Sequence, residues 1–182
     1  MPGALEAARH IALLALAIVC VYTDLARNRI YNAATLSGLA AGLVLAYLLD
    51  ATADGYPHLK AAALAALLGG GILFLVYLAG GLGAGDVKLM AAVGALSPLA
   101  AATAGWRFVC VALMYTAIVG AAIAVGTLIW KGRLLEGLRD SARTLFTFRR
   151  GKKAEGQKPL TIPYGLAIGI GTIWAWMETM VL

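Results

Sequence analysis

Charged positions in this chain fall in a few short clusters, and long uncharged runs separate them. Those runs cover residues 30–49, 61–85, 89–106, 108–130 and 159–177. A helix needs about 20 mostly apolar residues to cross the hydrocarbon core, so each run predicts one crossing. The first segment is shorter, because the apolar stretch covers only 11–23. It reaches span length if Arg9 and His10 snorkel to the interface. A cleaved signal peptide is the rival reading for residues 1–23, but no good Ala-x-Ala site precedes Asp24. A retained helix is therefore expected. The pattern predicts an all-α polytopic membrane protein, a bundle of about six transmembrane helices forming one domain over 1–182. The spans are read at 7–24, 31–49, 61–79, 88–106, 108–130 and 160–179.

Composition agrees with this reading. Hydrophobic residues make up 62% and charged residues 13%, whereas soluble domains carry about a quarter charged residues. The net charge of +6 is unevenly placed: Lys131, Arg133, Arg139, Arg143, Arg149, Arg150, Lys152, Lys153 and Lys158 all lie between the last two spans. Basic short loops stay inside, so the 131–159 loop is expected to be cytoplasmic. Alternation then puts the 80–88 loop (Lys88) and the 23–32 loop (Arg27, Arg29) on the same side. Arg9, Lys60 and Arg107 fall outside. This placement favours a topology signal touching the lipid bilayer over a nucleic-acid surface. Trp106, Trp130, Trp174 and Trp176 sit near span ends, as interfacial aromatics do. Cys20 and Cys110 form no CxxC pair, and nothing suggests a metal or a cofactor. His10 and His58 are each isolated near the outer face, and no chemistry is assigned to them.

The same topology brings two acids to one side at similar depth. Asp24 lies in VYTDLARNRIYN, at the inner end of the first span. Asp86 lies in GGLGAGDVKLM, at the inner start of the fourth. Ionisable groups at membrane depth are costly and face a bundle interior or a water-filled cavity. Each acid also has a plainer account: Asp24 paired with Arg27 or Arg29, and Asp86 as a helix cap. The glycines Gly80, Gly81, Gly83 and Gly85 permit backbone shapes and close approaches that side chains forbid. Two neighbouring carboxyl groups resist joint ionisation and share a proton. Such a pair can hydrolyse a peptide. The ionised member takes a proton from attacking water while the protonated member polarises the carbonyl. The residues do not decide which acid is the base.

These motifs resemble those of the type IV prepilin peptidases, polytopic aspartyl proteases of the GxGD class. Gly83-Ala84-Gly85-Asp86-Val87-Lys88 matches GxGDxK. Asp24 through Asn32 looks like the family's first motif, with Tyr31 where proline is usual. Ile162-Pro163-Tyr164-Gly165-Leu166-Ala167 resembles its C-terminal segment. The resemblance implies Asp24 and Asp86 as the catalytic pair. It further implies Gly83, Gly85, Lys88, Arg27, Arg29, Asn32, Pro163, Tyr164 and Gly165 as supporting or substrate-binding residues. It implies removal of the leader of Flp-like prepilins and pseudopilins after a glycine, at the cytoplasmic face of the inner membrane, possible pilus-assembly components as partners, and no metal. The chain is similar to the short members, since it holds no CxxC pairs of the methyltransferase domain. The alternative is a non-catalytic subunit of a pilus assembly, secretion or transport system, with Asp24 and Asp86 merely paired to Lys88 and Arg27.

Overall fold

A computed structural model describes residues 2–52, 55–98, 104–130 and 164–181. Among them the protein is all-helical, with no strand: α1 (Pro2–Arg27), α2 (Asn32–Leu49), a 3-10 turn (Asp50–Thr52), α3 (Pro57–Leu78), α4 (Ala84–Ala95), α5 (Ala104–Trp130) and α6 (Tyr164–Val181). Helices α1, α2, α3 and α5 are long and apolar enough to cross a membrane. The protein is an all-α polytopic membrane protein. The basic 131–159 loop and Pro163 lie outside the described residues.

Helix α4 occupies the centre. It touches all five other helices, while α1, α2, α3, α5 and α6 touch in that order and α6 returns to α1. A closed ring of five helices thus surrounds a sixth. Accordingly Leu89, Met90, Ala92, Val93 and Ala95 on α4 are fully buried. Small residues permit the close crossings. At Gly42 a β-carbon would lie 2.6 Å from the Ala95 carbonyl carbon, and Gly94 rests directly on the backbone of Ala65.

The central helix differs from the span read at 88–106. It has 12 residues, about 18 Å against a core of about 30 Å. Its stop is local: Pro98 disfavours helical geometry at Ser97. Hydropathy alone could not separate the two sides of this break, because both are apolar. A helix shorter than the membrane is tolerable where protein surrounds it. Residues 105 and 106 belong to α5, which starts before the expected 108. Arg107 does not interrupt it, since a long stem can carry the charge outward.

The outer-end expectations also need correction. Arg9 does not snorkel; it is 1% exposed. Its guanidinium donates instead to backbone carbonyls inside the bundle. His10 is not isolated, since Trp176 Nε1 donates to its Nδ1 at 2.9 Å. His58 Nδ1 lies 2.6 Å from Asp50 Oδ1. Asp50 also accepts the amides of His58 at 3.0 Å and Leu59 at 2.8 Å, holding the first turn of α3. Burial opposes ionisation of Asp50, yet these donors hold its carboxyl below the usual range.

Candidate active site

Asp24 sits in the last turn of α1, 7% exposed. Its carbonyl accepts the amide of Asn28 at 2.8 Å. Asn28 has φ 49°, and asparagine tolerates this left-handed position that ends a helix. The chain then turns through Tyr31, φ −78° and ψ 130°, into α2. That φ is within proline's range, so tyrosine keeps the backbone that the resemblance associates with proline. Its hydroxyl accepts a hydrogen bond from Arg27 Nη1 at 2.7 Å, with the guanidinium 5.9 Å from the ring centroid.

Asp86 is the third residue of α4 and is also 7% exposed. Its Oδ2 accepts the Gly83 amide at 3.0 Å, and its own amide donates to the Gly83 carbonyl at 3.2 Å. Asp86 is therefore not the cap residue itself: Gly83 is the N-cap, and the Asp86 carboxylate closes the first turn from the third helical position. Gly83 lets the carboxylate come close: a β-carbon there would lie 3.2 Å from Oδ2. Gly85 admits Ile30, whose Cβ would be 3.1 Å from an added β-carbon. Lys88 Nζ donates to Asn32 Oδ1 at 2.9 Å. Two contacts therefore fasten the segment after Asp24 to the segment carrying Asp86.

The third motif closes the site. Helix α6 begins at Tyr164, and the Leu166 amide donates to Asp24 Oδ2 at 3.2 Å. Gly165 is buried beneath that carboxylate: its β-carbon would lie 2.8 Å from Asp24 Oδ2. Each acid thus sits at a helix N-terminus, Asp24 at that of α6 and Asp86 at that of α4. Free amides and the helix dipole favour negative charge at both places. Burial opposes it. For Asp86, which precedes the apolar part of α4, burial prevails and the carboxyl is pushed up to about 6. The Gly83 amide pulls it down and the Asp24 charge pushes it further up.

Asp24, Asp86, Gly83, Gly85, Lys88, Asn32, Tyr164 and Gly165 gather at this end of the bundle. Arg27 reaches Tyr31, and Arg29 is exposed. Neither simple ion pair forms: among the described residues Asp50 and His58 make the one salt bridge. Among them, too, no three His, Cys, Asp or Glu side chains cluster as metal ligands would. Leu166, which acts through its amide, and Ile30, which fills the space that Gly85 leaves, lie within the quoted motifs, but their residue types assigned them no role.

The family model of type IV leader peptidases matches residues 11–125, well over half of the chain. The chain belongs to the type IV leader peptidase family. The peptidase carries both buried acids within the matched region, whereas α6 lies beyond it. No curated protein and no solved structure matches the chain. Family membership makes the protein a peptidase of membrane context acting on prepilin-type substrates.

Proposed function

We propose that the peptidase is an aspartyl endopeptidase that removes the leader of Flp-like type IV prepilins and pseudopilins. Cleavage falls after a glycine, at the cytoplasmic face of the inner membrane. The observation that carries this reading is the pair Asp24 and Asp86, both buried, gathered at one end of the bundle by the Leu166 amide on Asp24 and by the Lys88–Asn32 and Gly85–Ile30 contacts. One carboxyl group is ionised and the other protonated. The carboxylate accepts a proton from water as its oxygen attacks the scissile carbonyl carbon. The protonated acid donates a hydrogen bond to the carbonyl oxygen. As the C–N bond breaks, the departing amine takes up a proton, and leader acid and mature amine result. Burial strengthens these interactions by excluding bulk water.

The non-catalytic alternative needs Asp24 and Asp86 to be neutralised by Arg27 and Lys88. Those cations are engaged elsewhere, by Tyr31 and Asn32. Lys88 and Arg29 are exposed, and in this reading they meet an acidic residue of the substrate, Lys88 by exchanging its Asn32 partner. Co-expression with a Flp-type prepilin tests the function. A shorter pilin whose new N-terminus follows the leader glycine is expected, and a prepilin that stays full length contradicts the proposal.

A further inference from the structure

Helix α4 ends inside the ring, because α2 continues from Gly42 to Leu49 and α1 runs back from Arg9 to Pro2. The last carbonyls of a helix lack partners within it. At membrane depth no bulk water serves them, and each unmade bond is costly. Arg9 supplies the donors. Its Nη2 donates to Ala95 O at 2.8 Å and Ser97 O at 2.9 Å, and its Nη1 to Gly42 O at 2.9 Å. Thus one side chain of α1 ties the end of α4 to the middle of α2. It is 1% exposed, and among the described residues it makes no salt bridge. Burying a cation outside any salt bridge is expensive, and the charge of Glu6, one turn earlier on α1, lowers that cost. The negative end of the α4 dipole offsets part of that cost, since cations are favoured at a helix C-terminus.

The opposite end of the same short helix carries Asp86, about 13 Å along the axis at 1.5 Å per residue. Helix α1 carries Arg9 and Asp24. We propose that Arg9 is a positioning residue, which fixes the axial placement of α4 and thereby sets where Asp86 stands relative to Asp24. The role rests on the two-aspartate reading above. A helix displaced by one residue moves Asp86 by about 1.5 Å, and misplacement of about 1 Å can lower a rate about 100-fold.

The test compares Arg9→Met and Arg9→Lys with the unaltered residue in the full chain. One readout is kcat and KM for prepilin cleavage. The other needs no activity: oxidative cross-linking of Ile30→Cys with Gly85→Cys, after Cys20→Ala and Cys110→Ala. Those positions nearly touch when α4 is in place. Arg9→Met is expected to cross-link several-fold more slowly and to lose about 10- to 100-fold in kcat, with KM unchanged. Arg9→Lys, a point charge that reaches fewer carbonyls, is expected to fall between in both readouts. If Arg9→Met does not accumulate, Arg9→Lys decides. Unaltered cross-linking in the variant that folds overturns the proposal, whether or not kcat falls. Should the parent chain fail to cleave prepilin, the functional reading falls, while cross-linking still reports whether Arg9 places α4.

Discussion

Gly165 and Asp24 share a space that holds one side chain: a β-carbon on Gly165 would lie 2.8 Å from Asp24 Oδ2 and 3.0 Å from its Cγ. The carboxylate must shift if that carbon is added. Gly165→Ala is therefore expected to lower kcat/KM by about 10-fold or more, given the sensitivity of rates to small displacements. Gly120→Ala is the control on the neighbouring helix crossing, where the nearest atom would be 3.7 Å away, an ordinary contact. Cleavage kinetics of both variants check this; equal rates would remove Gly165 from the site.

Asp86 gives a pH signature in stability. Its folded-state carboxyl is raised from 3.8 to about 6, so the folded protein holds an extra proton between those values. Stability therefore falls as pH rises through that window. Asp86→Asn carries no charge and keeps an oxygen to accept the Gly83 amide. It is expected to melt higher than the parent at neutral pH, by at most about 3 kcal/mol. The advantage should shrink as pH drops through about 6 and vanish below about 4. Thermal unfolding in detergent across pH measures it, and a gap independent of pH contradicts the assignment.

Asp50 has the opposite sign. Its folded carboxyl lies below the usual range, so its contribution is present at neutral pH and fades as the carboxylate protonates in acid. Asp50→Ala strands two amides at the start of α3, at a cost of about 2 kcal/mol. A lower melting temperature at neutral pH, with prepilin cleavage retained at permissive temperature, is expected. Lost cleavage in a folded variant would tie Asp50 to the chemistry.

Tyr31→Pro should be tolerated. The φ of −78° already suits proline, and no backbone hydrogen bond donated by the Tyr31 amide would be lost. Arg27 loses its hydroxyl partner in this variant. Cleavage within about 3-fold of the parent is expected, because an exposed pair of this kind contributes under about 1 kcal/mol.

Much of this site was legible in the sequence because acids and glycines are conspicuous in an apolar chain. Asp24, Asp86, Gly83, Gly85 and Gly165 stood out by residue type, and counting crossings brought both acids to one end. The boundaries of α4 were not legible, since Ser97-Pro98 interrupts the backbone without interrupting hydropathy. Arg9 was visible as a charge within an apolar helix, but sequence alone could not distinguish snorkelling from capping. That difference depends on where α4 stops. Leu166 contributes a backbone amide, which no residue type announces.

The two carboxyl groups are held to act as one unit, and purified protein in lipid vesicles tests this most directly. Prepilin cleavage should be measured for Asp24→Asn, Asp86→Asn and the double variant. Each single change is expected to abolish cleavage, and the double variant to be no worse than either, as for groups that share one step. Substantial cleavage by either single variant would contradict the account.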